Sequence, residues 1–176
     1  MKVYTQKEFN ELPKDEFGYK ICPTGDYSQV KSFGEWCRFG EWCIFGEWCI
    51  FGERCSFGEQ CRFGEGCRFG EWCSFGEWCS FGEGCRFGER CSFGERCEIE
   101  QGREFKNFLK FEGFGSTKRC TYFWLLSDNS IYVRCGCFAG DIDEFRQMVI
   151  KTHGDSKIAK GYLEIARLAE WYLQEV

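Results

Sequence analysis

Between residues 33 and 97 the apolar positions recur with a period of six. Phe stands at 33, 39, 45, 51, 57, 63, 69, 75, 81, 87 and 93, each followed by Gly and Glu, and from Phe39 onward Cys lies two positions before each. A helix would space its apolar residues by alternate threes and fours, so a fixed six with an internal spacing of two predicts short strands separated by turns. Alternation along each strand sends Cys and Phe to one side and the residue between them to the other. The Gly after each Phe, lacking a Cβ, is expected to bend the chain at a tight corner. Fixing six backbones costs about 6 to 12 kcal/mol, whereas one buried Phe returns only about 2 to 3, so no hexad stands alone and stacking must supply the rest.

The same phase reaches Ile21 and Tyr27 on one side and Ile99, Phe105 and Phe111 on the other, although Lys31 and Arg103 then fall in the small inward slot and require bulged coils. Stacked coils leave open strand edges at both ends, and the flanks are suited to cover them. Thr5 and Glu8 have capping-box spacing ahead of Phe9 and Leu12, and Pro13 stops the segment, which predicts a helix at 5–12. Residues 119–126 and 131–137 flank Ser-Asp-Asn-Ser and predict a hairpin. A helix then begins at Asp141, with Glu144 completing the cap, and ends at Gly154. A second begins near Asp155 and carries Ile158, Tyr162, Ile165, Ala169 and Leu173 on one face. The expected organisation is an N-terminal cap and irregular first coil (1–31), the repeat (32–97, with irregular coils reaching to 111) and a C-terminal α+β cap (112–176).

The hexad resembles that of the hexapeptide-repeat, left-handed parallel β-helix family. In that reading Cys fills the small slot, Phe the aliphatic slot, and Gly34 through Gly94 the third. The resemblance implies a mainly β chain with three hexads per left-handed coil. Phe is larger than the family's aliphatic residue and Cys replaces its usual small residue, which implies a distorted or wider coil. The stretch Ile131 to Leu173 resembles the tails of uncharacterised phage and gut-bacterial proteins, which implies a mobile-element origin and transfers no activity.

Hydrophobic residues make up 43% of the chain and aromatics 19%, enough to exclude a disordered chain. Fifteen cysteines, eleven of them in chemically identical surroundings, do not define a pairing, so they are read as reduced thiols packed as small apolar groups in a cytoplasmic protein. The N-terminus lacks an apolar export segment, and no run approaches a membrane span. Of the net charge of −5, the repeat carries −4, from eleven Glu against seven Arg, which argues against direct nucleic-acid binding.

Candidate chemistry is sparse. The resemblance brings to mind acyltransferases, which use a His at a coil edge, but His153 lies outside the repeat; an acyltransferase-like enzyme remains the alternative from another class. Cys120, Cys135, Cys137 and His153 supply zinc-ligand types, yet Ile131, Val133, Cys135 and Cys137 alternate as a core face would. No catalytic residue, metal or cofactor is expected. The residue before each Cys is more informative. Sorted by coil, one edge reads Trp36, Arg54, Trp72, Arg90; the second reads Trp42, Gln60, Trp78, Arg96; the third reads Trp48, Gly66, Gly84. Guanidinium on indole makes a stabilising ladder, and lined-up Trp and Arg are also the residues of contact surfaces. The Glu columns, such as Glu35, Glu53, Glu71 and Glu89, form either a solvated face or a polyanion that imitates nucleic acid. The expected function is non-enzymatic: a protein-interaction module whose Trp/Arg edges or acidic faces engage a protein partner. Its most concrete form is a mobile-element inhibitor of a host nucleic-acid-handling defence protein, anti-CRISPR-like in kind. A purely structural homo-oligomer is the third reading.

Overall fold

The computed structural model describes residues 1–115 and 119–175. The chain divides into two compact units, Met1–Glu104 and Phe105–Val176.

The first unit is a parallel β-solenoid of about four turns. Its strands form three parallel ladders. One contains Lys20–Cys22, Cys37–Phe39, Ser56–Phe57, Ser74–Phe75 and Ser92–Phe93; the second contains Asp26–Tyr27, Ile44–Phe45, Arg62–Phe63, Ser80–Phe81 and Glu98–Ile99; the third contains Ser32–Phe33, Ile50–Phe51, Arg68–Phe69 and Arg86–Phe87. Phe39 pairs with Phe57 and Phe57 with Phe75; likewise Phe45 pairs with Phe63 and Phe51 with Phe69. Each position therefore meets its equivalent three hexads away.

This register makes the interior. Phe45, Phe63 and Phe81 stack with centroids 4.8 and 5.0 Å apart and planes within 5°, and the other two columns do the same through Phe51 on Phe69 and Phe57 on Phe75. Between columns the rings meet edge to face, Phe57 on Phe63 at 88° and Phe63 on Phe69 at 87°. Both are geometries the ring quadrupole favours, each adding about 0.5 to 1.5 kcal/mol beyond burial. The cysteines close the corners, and each thiol from Cys55 to Cys97 contacts a Gly carbonyl of the preceding rung, for instance Cys61 Sγ to Gly40 O at 3.4 Å. Lys31 does not enter the interior: Val30 is fully buried in its stead, and Lys31 Nζ donates to Glu47 O.

Glycine has a different role from the one the hexad suggests. The tight corner lies at Glu and the residue after it, not at Gly. The left-handed backbone conformation belongs to Trp36 (φ 58°), Arg54 (56°), Gln60 (57°) and their equivalents. The Gly after Phe is required because rungs approach closely there; a Cβ on Gly64 would lie 2.7 Å from Glu47 N.

Helix α1, Gln6–Asn10, is capped by the reciprocal Thr5 and Glu8 bonds, and its Phe9 is buried against Tyr27, Phe33 and Phe39. At the other end the six-residue phase persists to Ile99. Gln101 and Gly102 then take positive φ and reverse the chain, so that Arg103 returns opposite Ile99 in antiparallel pairing. Residues 103–114, which the phase alone would place in further coils, are one strand, Arg103–Phe114.

The second unit is an antiparallel meander that continues through Arg119–Leu126, Ile131–Cys135 and Phe138–Asp141, packed on helices α2, Ile142–His153, and α3, Lys157–Gln174. Asp141 caps α2 with Glu144 in return, and Ser156 caps α3. Phe123, Val133, Phe145, Val149, Ala166 and Leu173 form its core. Among the described residues no helix is long and apolar enough to cross a membrane.

Candidate functional site

The outer surface of the solenoid is set by its corners. A non-glycine residue in the left-handed region costs about 1 to 2 kcal/mol, and nine residues of the repeat accept that cost. Seven of them, from Trp36 to Trp78, are held by a rung-to-rung bond: Trp36 N donates to Glu53 O at 3.0 Å, Arg54 N to Glu71 O at 2.9 Å and Trp72 N to Glu89 O at 2.9 Å. The corner residues from Trp36 to Trp78 are thereby kept in column.

The first edge is a continuous stack. Arg54 Cζ lies 4.9 Å from the Trp36 ring centroid and 6.0 Å from that of Trp72, and Arg90 Cζ lies 4.6 Å from Trp72. Tyr19 extends it, edge-on to Trp36 at 5.0 Å, and Arg38 lies 3.7 Å over Tyr19 while pairing with Asp15 at 3.1 Å. Sequence reasoning missed Tyr19 because it is out of the six-residue phase. On the second edge Arg96 lies 4.6 Å over Trp78, Gln60 is half-buried, and Trp42 and Trp78 are 49% and 47% exposed. On the third, Trp48 is 64% exposed and lies across Gly66, whose added Cβ would sit 2.3 Å from Trp48 Cε3. Gly102 continues this column in sequence and shares the positive φ of Gly66 and Gly84; the same spacing that aligns Gly66 with Gly84 would have found it. Glu35, Glu53, Glu71 and Glu89 are all exposed beside the first edge.

Among the described residues the four zinc-type side chains of the second unit are not gathered into one metal-ligand group, although Cys135 and His153 both contact Tyr162. Cys135 is buried, 3.2 Å from Thr121 Oγ1 and 3.8 Å from the Tyr162 hydroxyl, and His153 stacks on Tyr162. Cys120 is half-buried. Cys137 departs from the expected core face: Ile131–Cys135 ends before it, and Cys137 is exposed in the following turn. Burial, followed by Cys135, pushes the Tyr162 hydroxyl up to about 12. In the solenoid, contact with the thiols of Cys37 and Cys73, followed by burial, holds Cys55 above the ordinary thiol range, and Cys43 and Cys79 do the same for Cys61. Burial of such a thiol favours its neutral form.

Fold and surface together define a parallel β-solenoid that displays columns of aromatic, cationic and acidic side chains. A family model described as the RNA-binding, Nab2-type zinc finger matches overlapping segments at 31–46, 36–58, 48–64, 60–88, 78–94 and 85–97, less than half of the chain. No curated protein and no solved structure shows significant similarity to it. The matched residues do not fit a zinc finger. A Cys-Cys-Cys-His site needs thiolates and an imidazole converging tetrahedrally at about 2.0 to 2.3 Å from the metal, but the repeat contains no His. Its thiols stand in columns directed at backbone carbonyls. Among the described residues no group of three or more His, Cys, Asp or Glu is placed to hold a metal ion.

Proposed function

We propose that this protein is a non-enzymatic interaction module that engages a protein partner through the Trp/Arg edges of its solenoid. One observation carries the reading: Trp42, Trp48, Trp72 and Trp78 stand 45% to 64% exposed at corners whose backbone conformation is costly for them. Exposed indoles in line are the side chains from which contact surfaces are built. The solenoid is taken to be a left-handed β-helix with three hexads per coil; the pairing of Phe39 with Phe57 and Phe45 with Phe63 supports that coil length. RNA binding, which the matched family's description would suggest, is disfavoured by the Glu columns. The partner is instead a protein with a basic groove, of the nucleic-acid-handling kind, toward which those columns present negative charge; a mobile-element inhibitor of a host defence protein would have this chemistry.

The test is affinity capture from host lysate, identification of the retained protein, and titration with that protein once purified. Replacement of Trp42, Trp48, Trp72 and Trp78 by Ala is expected to weaken binding at least tenfold, about 1.4 kcal/mol, with the fold retained. Unchanged affinity would overturn the reading.

A further inference from the structure

The first edge reads Trp36, Arg54, Trp72, Arg90 along the solenoid, and the opposite reading places an arginine wherever the first has a tryptophan. Building on the reading of the edges as contact surfaces, we infer that this edge joins two copies of the chain antiparallel, about a two-fold axis between the Arg54 and Trp72 rungs. Trp36 then faces Arg90 of the second copy and Arg54 faces Trp72 of the second copy, and the reciprocal contacts follow from symmetry, as in any two-fold interface.

Three observations favour this occupant. Two copies share one rise, seen in the 4.9 Å step from Phe51 to Phe69, so the register holds over all four rungs. Within one chain each guanidinium lies toward the indole of the preceding rung, while Arg54 and Arg90 remain exposed and Trp72 is 45% exposed. Finally, each arginine comes beside an acid of the second copy, Arg54 beside Glu71 and Arg90 beside Glu35, both of which are exposed. A parallel alignment would set arginine on arginine. The second edge, Trp42, Gln60, Trp78, Arg96, lacks this symmetry, and the third carries a single large side chain. A contact confined to one edge is small, so the association belongs to the weak class.

The test is permutation of the edge at constant composition, read by sedimentation of the full chain up to about 1 mM, where millimolar dissociation constants become visible. Trp72→Arg with Arg90→Trp gives an order that opposes like to like, whereas Arg54→Trp with Trp72→Arg keeps every Trp opposite an Arg. These corners already hold Trp or Arg at φ 56° to 59°, so both variants should fold, as circular dichroism would verify. The natural chain and the second variant are expected to dimerise with similar constants and the first at least tenfold more weakly. A monomeric natural chain, or equal dimerisation of all three, overturns the inference. In either case loss of the captured partner on replacing Trp42, Trp48 and Trp78 would leave the wider reading standing, so the two failures are distinguishable.

Discussion

Gly64 lies so close to Glu47 of the neighbouring rung that an added Cβ would come within 2.7 Å of its backbone nitrogen. Gly34 holds the same place in the hexad at the start of the solenoid, and an added Cβ there meets nothing within 4 Å. Neither is in the left-handed region. Gly64→Ala should therefore cost about 3 kcal/mol or more and Gly34→Ala about 0.5 kcal/mol or less. At about 2 to 4 °C per kcal/mol for a chain of this size, thermal melting separates them.

The core gives a second contrast. Phe63 is buried, stacked on Phe45 and Phe81 and met edge-on by Phe57 and Phe69. Phe63→Ala should cost about 3 to 5 kcal/mol. In Trp72→Ala an exposed contact is lost, and about 1 kcal/mol or less is expected. Chemical denaturation of both variants checks the order, and a double-mutant cycle of Trp72 with Arg90 should return a coupling of about 0.5 to 1 kcal/mol.

Alkaline pH should lower the stability of the solenoid. Cys55 and Cys61 are raised above the ordinary thiol value of 9.0 by their neighbouring thiols and by burial. The folded state then keeps protons that the unfolded chain releases, so the unfolded state binds fewer and stability falls as pH rises. The contribution is complete below about pH 8 and declines above 9, by about 1.4 kcal/mol per pH unit for each such thiol. Denaturant midpoints between pH 7 and 10.5 measure it; a flat profile would count against buried, neutral thiols.

Zinc gives a fourth. Because the thiols of the repeat point at carbonyls and the repeat contains no His, purified protein should contain less than about 0.1 equivalent of zinc, and a chelator should leave its melting temperature unchanged, unlike a structural zinc site whose folding depends on metal. Elemental analysis and a melt with and without chelator decide it.

The strand-and-turn repeat, its Phe and Cys interior and both capping boxes were legible in the sequence because each follows from local periodicity or spacing. So was the Arg54 and Arg90 stacking on Trp36 and Trp72, once positions were sorted by coil. What was not legible depends on contacts between rungs. Glycine's reason for being in the hexad is a neighbour seventeen residues away, so local turn chemistry assigned it the corner that Trp, Arg and Gln occupy. Tyr19 joins the first edge from outside the phase, and Cys137 leaves the core face because its strand ends at Cys135. Alternation says which way a side chain points only while the strand lasts.

The most direct test of the account is covalent footprinting of the indoles, with and without the captured partner. Protection of Trp42, Trp48 and Trp78 on binding, with Trp124 of the second unit's sheet unchanged, is the predicted result. Binding that leaves all three as reactive as in the unbound chain would contradict the claim that these edges make the contact.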